Sequence, residues 1–231
     1  MTADFQELRV KMVDGQVRTT DVTDADILSA LLAIPREEFV PARLRALAYI
    51  DEDVQIAEGQ IAEGQIAKGR PGRFLMRASP FAKLVQLAGV RAGDLVLDVG
   101  AGTGYSSAIL ARIAGFVVAL ESDAALAGEA GERLAALGCE NVSVVEGPLA
   151  AGHAAQAPYD VILVEGAVDE VSPELISQLK DGGRLVAVVG EGNSGRATLW
   201  LKEDGLVSSR AAFNAAVPAL DAFRREPAFE F

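Results

Sequence analysis

Apolar and polar positions fall into two regimes that meet near Pro80. Before it, Phe5, Leu8, Met12 and Val13 recur at helical spacing and predict a helix within residues 5–17. Ile27, Leu28, Leu31 and Leu32 form a second apolar stripe, with Thr23 as its N-cap, Asp26 three residues on and Pro35 as its stop. These two helices form an N-terminal cap outside any sheet. The stretch IPREEFVPARLRALAYIDEDVQI keeps no lasting period and reads as loop and short helix, anchored by Phe39, Val40, Leu44 and Tyr49. The repeat QIAEG-QIAEG-QIAKG over residues 55–69 has a period of five, which fits neither helix nor strand. With a glycine in every unit it predicts a surface loop without regular structure, a tolerated duplication rather than a lid.

After Pro80 the pattern alternates. Helices are predicted at 81–88, 104–114, 124–137, near 150 and at 172–179, and strands at 95–99, 116–121, 142–146, 159–165 and 184–189. Such alternation gives a doubly wound, mostly parallel α/β sheet of Rossmann-like type with its ligand at the carboxyl ends of the strands. Ala197–Lys202 and Leu206–Phe213, joined by Glu203-Asp204-Gly205, add a C-terminal antiparallel hairpin. The expected division is a cap with its connecting loop over residues 1–80 and a cofactor-binding core over residues 81–231.

The candidate chemistry lies in LVLDVGAGTGYSSAIL, residues 95–110: a buried strand, a glycine turn and a helix. Glycine at Gly100, Gly102 and Gly104 lets the backbone turn tightly and lets a ligand lie against it, and the helix amides point into the same space. A dinucleotide fingerprint places its third glycine three residues after the second; here the interval is two. Asp98, two residues before the first glycine, suits a cationic amino group better than a phosphate. Glu121 ends the next strand, where a carboxylate accepts from both hydroxyls of a ribose. Strand, turn and acids together favour S-adenosylmethionine, with Asp98, Gly100, Ala101, Gly102, Thr103, Gly104 and Glu121 as binding residues.

Composition narrows the partners. Over 231 residues the formal net charge is −12, against extended contact with nucleic-acid backbones. A single cysteine, Cys139, rules out a disulfide framework and reads as a small buried hydrophobe. The only histidine, His153, reads as a partly exposed helix residue. No metal is assigned. Neither a signal peptide nor a membrane-length apolar run is present, so a cytoplasmic location is expected.

Several segments carry a more specific likeness. IPREEFVP with AYIDEDVQI, then LDVGAGTGYSSAILARIAG, VVALESD, NVSVVEG, APYDVILVEGA and QLKDGGRLVAVVG resemble the protein-L-isoaspartate O-methyltransferase family over about residues 7–192. The resemblance implies methyl transfer from S-adenosylmethionine to the carboxylate of isomerised aspartyl residues in damaged proteins. It adds Ser122, Gly147 and Pro148 to the cofactor residues, Pro148 standing where the family carries an adenine-binding Asp. The family's G-Q-T-I-S-x-P segment corresponds without gaps to Gly72–Ala78, putting Phe74 and Met76 at its hydroxyl positions. A shifted alignment makes Ser79 the catalytic-side serine. Arg73 and Arg77 are then free to bind an acidic substrate or to be solvated. A methyltransferase for another small acidic substrate and a non-catalytic S-adenosylmethionine binder are the alternatives.

Overall fold

The structure, a computed structural model, describes residues 4–58 and 72–225. Its N-terminal part holds α1 (Phe5–Met12) and α2 (Ala25–Ala33). A wider π-helical turn, Val13–Val17, continues α1 and buries Val13 and Val17. The N-cap of α2 is Asp24 rather than Thr23. Its carboxylate accepts from the Asp26 and Ile27 amides, while the Thr23 and Asp24 amides donate to Gln86 Oε1. The 3₁₀ turns Arg36–Phe39 and Ala42–Leu47 follow, as the broken period predicts.

The repeat begins differently from expectation. Val54–Glu58 is a strand, β1, paired antiparallel with β2 (Gly72–Leu75), so Gln55–Glu58 are not loop. Residues 59–69 of the repeat lie outside the described residues. Pairing with β2 fixes β1 through backbone bonds that a five-residue period does not reveal, and it points Ile56 and Phe74 toward one cavity.

The core alternates α3 (Ala78–Ala88), β3 (Leu95–Val99), α4 (Tyr105–Ala111), β4 (Phe116–Glu121), α5 (Ala124–Ala136), β5 (Val142–Glu146), β6 (Tyr159–Val168), α6 (Pro173–Ser177), β7 (Leu179–Val189), β8 (Arg196–Glu203) and β9 (Leu206–Asn214). The sheet order is β5-β4-β3-β6-β7-β8-β9. The strands from β3 to β7 run parallel, and β8 and β9 close the edge antiparallel. The chain leaves β3 for β4 and β5 on one side and crosses to β6 on the other, which makes the ends of β3 and β6 a topological switch point. β7 starts at Leu179 rather than at 184, because Leu179 pairs with Tyr159 before the Lys180–Gly183 turn interrupts the ladder.

The cap packs into the sheet's own apolar cluster: Phe39 and Phe81 both lie against the Tyr105 ring, Phe39 edge-on and Phe81 tilted. Arg36, 1% exposed, ties the layers together. Its guanidinium donates to the carbonyls of Ala48 and Met76, each at 2.7 Å, and lies 4.9 Å from the Tyr105 ring centre. Such a charge is tolerated in a core because carbonyl acceptors and an aromatic face surround it. No helix among the described residues is long and apolar enough to cross a membrane.

Candidate functional site

The glycine turn leaves β3 and enters α4 through three left-handed residues, Gly100 (φ 85°), Gly102 (φ 57°) and Gly104 (φ 93°). At all three, side-chain space is also lacking. A Cβ on Gly102 would meet Ile56 Cδ1 at 2.7 Å, and one on Gly104 would press on Ala130 and Leu134 of α5 at 3.2 Å. The turn therefore lets α5 pack closely and brings its own backbone against the β1–β2 hairpin.

Two fully buried acids flank the turn. Asp98 Oδ2 accepts from the hydroxyls of Ser106 and Ser107, both at 2.6 Å, and Oδ1 has no partner among the described residues. Burial pushes the Asp98 carboxyl up to about 6, the two serines opposing the rise and the Glu121 charge adding to it. Glu121 Oε2 accepts from the Gly102 amide at 2.8 Å, and Oε1 accepts from the amides of Ser122 and Asp123. The sequence places an acid at the end of β4; the structure adds that it is wired directly into the turn.

The other expected positions divide. Gly100, Ala101 and Gly102 line one small cavity with Ser106. Thr103 faces away from it: its hydroxyl donates to the Phe39 carbonyl at 2.6 Å and fastens the turn to the cap. Gly147 and Pro148 follow β5, where the Gly147 amide donates to the Glu121 carbonyl at 2.9 Å and Pro148 is exposed beside them. Ser79 is not brought to the turn. Its hydroxyl donates to Thr20 Oγ1 at 2.9 Å, and it lines a separate groove with Gly15, Arg77 and Lys83.

Arg73 and Arg77 are both engaged rather than solvated. Arg77 Nη2 donates to the Ala216 carbonyl at 3.0 Å. Arg73 reaches from β2 into the site, donating to Glu121 Oε1 at 2.6 Å and to the Gly100 carbonyl at 2.9 Å. Its guanidinium thus stands on the groups that sequence reasoning assigns to a ligand. Leu220 closes over Gly100 from the C-terminal segment, held there by hydrogen bonds between Ala167 and both Pro218 and Leu220. The remaining cavity is about 20 Å³, lined by Ile56, Phe74, Met76, Phe81, Tyr105 and Glu165 among others. That is room for about one water molecule.

The residues nonetheless fit S-adenosylmethionine in kind. A buried carboxylate fixed by backbone amides at the end of β4 suits a ribose in place of the Arg73 guanidinium, and the glycine cradle suits close approach by a chain. The unpartnered oxygens of Asp98 and Glu165 call for a donor or a positive charge.

Comparison with known proteins decides the family. The model for protein-L-isoaspartate(D-aspartate) O-methyltransferase matches residues 9–221. The chain belongs to the protein-L-isoaspartate O-methyltransferase family. It is 40% identical over 182 residues to a protein-L-isoaspartate O-methyltransferase of Koribacter versatilis (strain Ellin345), covering 79% of this chain and 76% of that one. A second relative of the same name, from Methanoculleus marisnigri, is 36% identical over 201 residues, covering 87% and 86%. Among solved structures, a protein-L-isoaspartate O-methyltransferase superposes with a TM-score of 0.73 at 28% identity, covering 93% of this chain and 65% of that chain. A chain from Plasmodium falciparum, solved with S-adenosyl-L-homocysteine, gives 0.72 at 18% identity over 95% and 99%, which speaks to the fold alone.

Seen within this family, the site owes several features to residues the sequence reading passed over. Ile56, Leu220 and Glu165 are singled out by no local pattern, and each reaches the turn only through tertiary packing.

Proposed function

We propose that this chain transfers a methyl group from S-adenosylmethionine to the carboxylate of isoaspartyl residues in damaged proteins, with Asp98, Gly100–Gly104 and Glu121 forming the cofactor cradle. Family membership supports the reaction, and the observation that carries the site is the Glu121 carboxylate bonded to the Gly102 amide beside the left-handed turn. A location in the cytoplasm fits such substrates.

What S-adenosylmethionine supplies when bound is an electrophilic methyl on a positively charged sulfur. An acceptor carboxylate is already a nucleophile, so the protein has only to align it and keep water out. Ile56, Phe74, Met76, Phe81 and Leu220 provide apolar walls for that purpose. No general base is required of the chain. Ser122, Gly147 and Pro148, clustered behind Glu121, suit the nucleoside end. Phe74 and Met76, apolar where the family has hydroxyls, leave acceptor recognition to backbone groups. Ser79, facing Thr20, supports the cap instead.

The reading is tested with radiolabelled cofactor and a peptide pair that differs only in an isoaspartyl against an ordinary aspartyl linkage. Label should enter the isoaspartyl peptide and leave the control unlabelled. Equal labelling, or labelling of neither while small acids are methylated, would favour the reading as a methyltransferase for another acidic substrate.

A further inference from the structure

One acid in the site has no part in the scheme above. Glu165 directly follows Val164, which pairs with Val99 of β3, so it lies level with Gly100 at the mouth of the turn. There β6 departs from regular pairing with β7, resuming at Ala167, and the bulge aims the side chain into the cavity lined by Gly100, Ala101, Gly102 and Ser106. Gly166 makes the bulge possible, since a Cβ there would meet Leu220 Cγ at 2.7 Å and the Pro218 carbonyl at 2.9 Å. Glu165 Oε1 is shut off from solvent with no partner among the described residues, and so is Oδ1 of Asp98 on the adjoining strand.

Two enclosed carboxylate oxygens without donors are costly to keep. The groups around Glu165 do not relieve the cost. Asp98 from β3 and Glu121 from β4 are acids, Tyr105 from α4 has an unpartnered hydroxyl, and Arg73 from β2 is committed to Glu121 and the Gly100 carbonyl. With Arg73 committed and the Arg36 guanidinium on the Tyr105 ring, Asp98 and Glu165 are left without a cation of their own among the described residues, and the site is organised to receive positive charge.

We propose that Glu165, beside Asp98, faces the sulfonium of S-adenosylmethionine and makes the site prefer the cofactor over its demethylated product, whose thioether carries no charge. The inference rests on the cofactor assignment proposed above. Cofactor and product share their adenosine and amino-acid ends, so contacts to those parts hold both alike. A carboxylate in an enclosed, poorly screened site separates them by charge, and a weaker hold on the product frees the site for the next turnover. Burial and the nearby Asp98 raise the Glu165 carboxyl well above the usual range, which favours its protonated form in the free protein. Arrival of a sulfonium favours its ionised form and releases that proton; arrival of the neutral thioether does not.

Calorimetry on the full chain, with S-adenosylmethionine and S-adenosylhomocysteine in two buffers of different ionisation enthalpy, reads both effects. The wild-type protein should release a proton on binding S-adenosylmethionine and none on binding the homocysteine product. Glu165→Gln, which keeps the shape, should abolish the release and cut the preference for S-adenosylmethionine by roughly fivefold or more, with product affinity held within about twofold. Glu165→Asp should restore part of the preference. Identical proton release for both ligands in the wild type, which needs no variant, overturns the proposal, as does an equal loss of both affinities in Glu165→Gln. A wild-type chain that binds neither ligand refutes the cofactor assignment itself.

Discussion

Asp98 lies in the floor of the turn, fully buried, with two serine hydroxyls on one oxygen and nothing on the other. Its carboxyl rises from 3.8 to about 6, first through burial. Below pH 3.8 the acid is protonated in both the folded and the unfolded chain. Between 3.8 and about 6 the unfolded chain gives up its proton while the folded one keeps it, so stability falls as pH rises through that window and the loss is complete above it. At ~1.36 kcal/mol per pH unit the loss is on the order of 1–3 kcal/mol. Denaturant unfolding of wild type and Asp98→Asn at pH 4 and pH 7 should show the wild type losing that much relative to the variant. A difference that stays constant with pH would mean that Asp98 is not perturbed. At this scale the sequence is informative where a residue type is forced locally. Gly100, Gly102, Gly104 and the acids before and after them stand in a strand-turn-helix order that no other chemistry explains as well. It does not reveal what Arg36, Arg73 and Glu165 meet, because those neighbours lie on other elements: Met76 for Arg36, Glu121 rather than a substrate or solvent for Arg73, and Asp98 for Glu165.

Among the elements, the β1–β2 hairpin matters most to the site. The five-residue repeat hides it, because a glycine in each unit masks the short alternation of Val54–Glu58 and the partner strand arrives only at Gly72. Most helices and strands after Pro80 are legible to within about three residues, since buried parallel strands are continuous apolar runs and the helices carry clear stripes, whereas β7 begins earlier than its apolar run. The hairpin's Ile56 seals the turn from above and its Arg73 bridges Glu121 to the Gly100 carbonyl. A ribose on Glu121 has to displace that guanidinium and shift the hairpin. Binding is therefore opposed by the loss of a partly buried, charge-assisted pair, worth about 1.5–3 kcal/mol. Arg73→Met, which keeps the apolar stem, should tighten S-adenosylmethionine binding about tenfold or more by calorimetry. Weaker binding in this variant would show that Arg73 contacts the cofactor instead of competing with it.

At the scale of the molecule, cap and sheet share one apolar cluster, and the site lies where they meet at the switch point of the strand order. The cap supplies Phe39 to anchor Thr103, the hairpin supplies the roof, and the segment after β9 supplies Leu220. An acidic chain of net charge −12 accordingly gathers three of its acids, Asp98, Glu121 and Glu165, around a turn built for close approach. That the turn binds S-adenosylmethionine through Glu121 is the claim on which the rest depends. Titration calorimetry of S-adenosylmethionine into wild type and Glu121→Ala tests it, with melting temperatures confirming that both are folded. The account predicts that the variant binds more weakly by roughly 1.5–3 kcal/mol, the worth of hydrogen bonds to a charged group; a folded Glu121→Ala that binds S-adenosylmethionine as tightly as the wild type would contradict it.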